Sequence, residues 1–160
     1  MDEARRDEGE HDVDDAFRAV LEGLRTTLPG VQVLFAFLLT LPFLETFDRL
    51  PVGEKTAYYL AFFGSAVASI LLIAPSAHQR IRAPISGVKR RSARHLHITV
   101  RITIVGTIVF AVALVAAVYL VSSLVIDNGV GVILATIAVT ALLGWSWFYV
   151  PLVTFSNQRG

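Results

Sequence analysis

The chain has 160 residues, of which 54% are hydrophobic and 17% are charged, and its mean hydropathy is +0.63. This composition is too apolar for an ordinary small soluble domain and predicts an integral membrane protein. Cysteine is absent, which excludes disulfides, thiolate metal sites, cysteine nucleophiles and lipidated cysteines. The formal net charge of +1 averages an acidic N-terminal segment against a basic central one and is uninformative by itself.

An N-terminal arm precedes the first apolar run. Residues 1–12 are almost all polar and predict a disordered acidic tail. Apolar residues then recur at helical spacing, at Val13, Phe17, Val20, Leu21 and Leu24. This spacing predicts an amphipathic helix over 13–28 on the inner leaflet, with packing against the rest of the domain as the alternative. Pro29-Gly30 predicts a bend into the membrane, and nine acidic residues before position 26 argue against a cleavable signal peptide.

Four stretches without a charged residue follow, each long enough to cross about 30 Å of hydrocarbon as a helix. They cover 26–44, 56–77, 102–126 and 128–158. The expected fold class is an all-α integral membrane protein, a four-helix antiparallel transmembrane bundle preceded by a cytoplasmic amphipathic helix. The transmembrane domain is placed over 29–155, with spans at about 29–46, 56–77, 102–126 and 130–152. Asn128-Gly129 is expected to supply the positive φ of a tight reversal.

Basic residues are unevenly distributed between the segments that join these spans. Twelve of the 14 Lys and Arg residues fall in the N-terminal arm, the 78–101 segment and the C-terminus, and two fall between the first two spans. The positive-inside rule therefore predicts that both termini, including the tail 156–160, and the basic loop 78–101 are cytoplasmic.

Two polar residues of the first span, Gln32 and Thr40, are candidates for intramembrane polar contacts, as a transport site or, more simply, as helix–helix hydrogen bonds. Stripes of small residues recur every four positions and favour close helix packing, within one chain or between copies. The stripes are Ala61, Ser65 and Ser69; Ala113 and Ala117; and Thr136, Thr140 and Gly144. Pro42 and Pro75 predict kinks near the ends of two spans, which are either hinges or tolerated bends.

The 78–101 segment is a candidate contact for anionic lipid headgroups. The residues proposed for this contact are Arg80, Arg82, Lys89, Arg90, Arg91 and Arg94. His78, His95 and His97 share the segment, but the surrounding cations and the absence of carboxylates argue against a metal site. The basic segment has no aromatic residues between its cations, which argues against nucleic-acid binding. We also expect no cofactor and no catalytic residues.

Two motifs resemble those of a known family. They are the run RTTLPGVQVLFAFLLTLPF over 25–43 and the run LLIAP over 71–75, which is followed by His78 and Arg80. Over roughly residues 17–125 the chain resembles a domain-of-unknown-function family of small four-span membrane proteins found mainly in actinobacteria. The resemblance implies a bacterial plasma-membrane location and supplies no activity.

Two classes of function remain open at this stage. The first is a non-enzymatic scaffold or accessory protein for lipid or protein contact, with a homo-oligomer or another membrane protein as partner. The alternative is a small channel or transporter subunit that forms a pore by oligomerising. The pore hypothesis predicts that Gln32→Leu abolishes flux, whereas the scaffold hypothesis predicts an effect on stability alone.

Overall fold

The computed structural model describes residues 2–82 and 93–149, and these residues form helices joined by short turns. The helices are α1 (Asp2–Thr40), α2 (Val52–Arg82), α3 (Ala93–Val125) and α4 (Gly129–Leu143). Two 3-10 turns, Leu41–Phe43 and Phe47–Arg49, follow α1, and a π-helical turn, Gly144–Tyr149, continues α4. The described part of the chain contains no strand, so the all-α prediction is confirmed there.

Each of the four predicted spans corresponds to one apolar helical stretch. Stretches long and apolar enough to cross a membrane cover Arg18–Phe43, Val52–His78, His97–Val125 and Gly129–Trp147. Two predicted segments fall wholly or partly outside the described residues. They are residues 83–92 of the basic loop 78–101 and the whole of the tail 156–160.

The N-terminal arm differs from the sequence-based expectation. A single helix, α1, runs from Asp2 through Pro29, so neither a disordered segment over residues 2–12 nor a break at Pro29-Gly30 is present. Pro29 removes one backbone N–H from the helix. The helix nevertheless continues on both sides of Pro29. Just before the proline, the Thr26 and Thr27 hydroxyls donate to the Gly23 carbonyl at 2.8 and 3.0 Å.

The end of the first span also differs from the prediction. We expected helix to residue 46, but α1 ends at Thr40 and a 3-10 turn containing Pro42 follows. Pro42 cannot donate to the carbonyl four residues earlier, which explains why the α-helix ends before it. By contrast, Pro75 lies inside the continuous helix α2 and is buried.

Asn128 begins α4 as an N-cap. Its backbone is extended, with φ −103° and ψ 116°, and its side-chain oxygen accepts a hydrogen bond from the Val130 N–H at 3.1 Å. The described residues include none with positive φ, so the predicted left-handed Asn-Gly turn is wrong. Asparagine favours both positions, and here the capping role satisfies a donor at the start of the helix.

The chain divides into two compact units. The first unit is drawn from Met1–Phe37 and Ser65–Phe110. Its buried residues lie on one face of each helix: Leu24, Val31, Ser65, Ala68, Leu72, Pro75, Gly106 and Phe110. Helices α2 and α3 approach each other closely at Gly106 in this unit, because a Cβ built there would lie 3.0 Å from Leu72 Cδ2 and 3.1 Å from Leu71 Cβ.

The second unit is drawn from Leu38–Gly64 and Ala111–Gly160. Its buried residues are Leu38, Leu41, Tyr58, Ala61, Ala113, Ala116, Ala117, Leu120 and Val132. Buried positions along α2, from Tyr58 to Pro75, alternate in steps of three and four residues. This 3.5-residue period is that of a coiled-coil seam, and small side chains on it allow helix backbones to approach closely.

Candidate functional site

The described surface is dominated by apolar side chains. Val33, Ile70 and Leu142 are 70%, 69% and 68% exposed, and large exposed apolar residues occur on every one of the four helices. Monomeric soluble proteins rarely expose contiguous apolar patches beyond a few hundred Å². In a helix of a membrane protein the same pattern marks the surface that faces lipid or another helix.

Hydroxyl groups on the apolar helices bond to their own backbones. Ser69 donates to the Ser65 carbonyl at 2.8 Å, and Thr103 and Thr107 donate to the carbonyls four residues earlier at 3.0 and 2.9 Å. On α4, Thr136 and Thr140 do the same at 2.8 and 2.7 Å. These donors are therefore satisfied without water or a transported solute.

Gln32 and Thr40, the two predicted intramembrane polar residues, lie eight positions apart on α1, and both are exposed. Thr40 already engages in an interaction within the chain. The Gln32 carboxamide has no hydrogen bond within the described part of the chain. Gln32 is thus an uncharged polar residue of the first apolar stretch whose hydrogen-bonding groups are still available to a partner.

The end of α1 is tied to α2 by a hydrogen bond that the sequence did not predict. The Tyr58 hydroxyl, on a side chain only 4% exposed, donates to the Leu38 carbonyl at 3.2 Å. Leu38 lies four residues before Pro42, which has no N–H to offer this carbonyl. The hydroxyl of a distant tyrosine therefore supplies a donor where the proline lacks one.

Aromatic rings cluster around Tyr58. The Phe47 ring meets it edge-on at a centroid distance of 4.8 Å, and Phe62 stacks at 5.8 Å. Tyr59 and Phe63, which are exposed, continue the cluster along α2. Nearby, Lys55 Nζ donates to the Asp48 carbonyl at 3.1 Å and so closes the second 3-10 turn. Tyrosines at a helix end, such as Tyr58 and Tyr59, are typical of a membrane interface.

The predicted lipid-contact residues are only partly described. Arg80 and Arg82 lie at the end of α2 and Arg94 lies at the start of α3, all within the first unit, whereas Lys89, Arg90 and Arg91 lie outside the described residues. Within 2–82 and 93–149, no group of three His, Asp or Glu residues could hold a metal ion.

These observations define a class: an all-helical protein with four apolar helices long enough to cross a membrane. The chain belongs to the DUF6328 family, a family of unknown function, whose model matches residues 6–151. The resemblance to a family of unknown function is thereby confirmed. Comparisons with curated proteins and with solved structures found no match.

Proposed function

We propose that the chain is a multi-pass protein of the bacterial plasma membrane that acts without catalysis as a scaffold or accessory for lipid and protein contacts. The supporting observation is the exposed apolar surface of all four helices, which is suited to hydrocarbon. The actinobacterial family that the first two apolar runs resemble supports the location in the plasma membrane.

In the proposed orientation both termini and the basic segment face the cytoplasm. The segment 78–101 contains seven Lys and Arg residues, Arg101 included, and no Asp or Glu. Each cation beside an anionic leaflet gains about 1 kcal/mol. The same charges that fix the orientation thus provide a cytoplasmic surface for anionic headgroups, to which Arg80 and Arg82 at the end of α2 and Arg94 at the start of α3 belong.

Anionic lipid retention tests this role. We expect the protein purified in mild detergent to retain anionic lipid, which native mass spectrometry detects. Changing Lys89, Arg90, Arg91 and Arg94 together to Gln should lower the lipid-bound fraction of the protein severalfold. Arg49→Gln with Lys55→Gln, on the proposed outer side, is the matched control and should retain lipid. Equal loss in both variants would contradict the proposal.

Ion flux across liposomes, measured with the same protein preparations, tests the pore alternative. Hydroxyls that bond to their own helices give α3 and α4 few groups for a transported solute, so we expect no ion flux across liposomes. Flux that Gln32→Leu abolishes would establish a pore instead of a scaffold.

A further inference from the structure

The position of Gln32 along α1 sets its depth in the proposed membrane. It lies seven residues after Arg25 and thirteen before Glu45, inside a run without charge. At about 1.5 Å per helical residue these separations are about 10 Å and about 20 Å, although the last few residues before Glu45 are no longer α-helical. In the proposed orientation the carboxamide therefore lies within the hydrocarbon, away from both headgroup layers.

A carboxamide at this depth requires a hydrogen-bonding partner. Gln32 is exposed on the surface of the chain and has no hydrogen bond within the described residues. Water is excluded from hydrocarbon, and an amide without a partner there costs several kcal/mol on water-to-alkane scales. Thr107 and Thr140 satisfy their hydroxyls on their own helices, whereas the Gln32 side chain has no such bond in the described residues.

The surface around Gln32 is open to another helix. Arg25, Pro29, Gln32 and Ala36 follow one another at steps of four, three and four residues, so they share one side of α1, and all four are exposed. Ala36 lies one turn from Gln32 and leaves room for a second backbone to come close. The side chain that needs a partner is thus next to a place where a helix can approach.

We propose that this side of α1 binds α1 of a second copy of the chain, with the two Gln32 carboxamides hydrogen-bonded to each other. Two copies inserted with the same orientation hold Gln32 at the same depth, so a two-fold axis along the membrane normal brings the pair together. A carboxamide both donates and accepts, and two of them form reciprocal N–H···O bonds. Another partner protein would need a hydrogen-bonding group of its own at that depth, whereas a second copy has a carboxamide there by symmetry.

This inference rests on the proposed membrane insertion, and its test uses the absence of native cysteine. Ala36→Cys is compared with Gly30→Cys in native membranes under mild oxidation. Gly30 is the matched control because it is exposed, a Cβ there meets no atom within 4 Å, and it lies about 120° round the helix from Ala36. We expect Ala36→Cys to form a disulfide-linked dimer at least tenfold faster than Gly30→Cys.

Adding Gln32→Leu to Ala36→Cys tests the amide pair itself. Interhelical hydrogen bonds in membranes average a little over half a kcal/mol each, so losing two should weaken dimerisation about tenfold. Gln32→Asn retains a donor and an acceptor and should keep more of the dimer than Gln32→Leu. Equal cross-linking at 36 and 30, or equal dimerisation of the Leu and Asn variants, would overturn the inference.

Membrane integration is measured on every variant by resistance to alkaline carbonate extraction. Chains that resist extraction but stay monomeric would contradict the dimer alone. Chains that are extracted would contradict the proposed function as well.

Discussion

Ile137→Asp is expected to shift the balance between inserted and non-inserted α4 about a hundredfold toward the non-inserted state. Ile137 lies near the middle of the apolar stretch Gly129–Trp147 and is 58% exposed. A carboxylate at the centre of a membrane helix costs about 2.5–3.5 kcal/mol. If the same surface faced water, the substitution would change stability by no more than about 0.5 kcal/mol.

Labelling of a C-terminal cysteine measures how much of the protein fails to insert α4. With Gln158→Cys as the single cysteine, the inserted chain keeps the thiol inside, and intact cells should leave it unlabelled by an impermeant reagent. Failure of α4 to insert would leave the C-terminus outside and labelled. Val130→Asp is the control, because Val130 is also exposed but lies in the first turn of α4, where a carboxylate is favoured. Equal labelling of the two variants would contradict a lipid-facing α4.

Gly106→Leu is expected to destabilise the folded protein by about 1–3 kcal/mol. Even the first added carbon would lie 3.0–3.1 Å from the Leu71 and Leu72 side chains, and the Leu71 contact is to Cβ, which cannot rotate away. The larger leucine side chain would therefore force α2 and α3 apart within the first unit.

Gly30→Leu is the matched control for this substitution. It adds the same side chain to an α-helix at an exposed site with no atom within 4 Å of the new Cβ. We expect Gly30→Leu to leave stability unchanged or slightly raised, since glycine is a weak helix former. Unfolding of both variants in the same detergent provides the measurement. A Gly106→Leu protein as stable as Gly30→Leu would show that α2 and α3 do not pack tightly at Gly106.

Helix number and helix identity followed from the sequence because charge and hydropathy act over whole segments. Each uncharged run corresponds to one helix, since about 20 apolar residues can satisfy their backbones in hydrocarbon only as a helix. The small-residue stripes were equally informative on two helices: Ala61 and Ser65 on α2, and Ala113 and Ala117 on α3, are buried. On α4, Thr140 and Gly144 are exposed, so spacing alone did not say which stripes pack within the chain.

Local details depended on partners that sequence patterns do not reveal. The Tyr58 hydroxyl and the Leu38 carbonyl are 20 residues apart, and nothing in either segment alone indicates that they meet. Asn128 fits a turn and a helix cap equally well, and the start of α4 decided between them. Gln32 stays a predicted site of polar contact, and the sequence could not show that its side chain is exposed, because exposure depends on which side of α1 packs.

Labelling of single cysteines in intact cells tests the central claim most directly. With Val52→Cys and Ser92→Cys in separate chains, an impermeant thiol reagent should label position 52 and leave position 92 unlabelled. Permeabilised cells should label both, which shows that each thiol is reactive. Labelling at 92 and not at 52 would reverse the orientation, and protection of both until permeabilisation would contradict the claim that these helices cross the membrane.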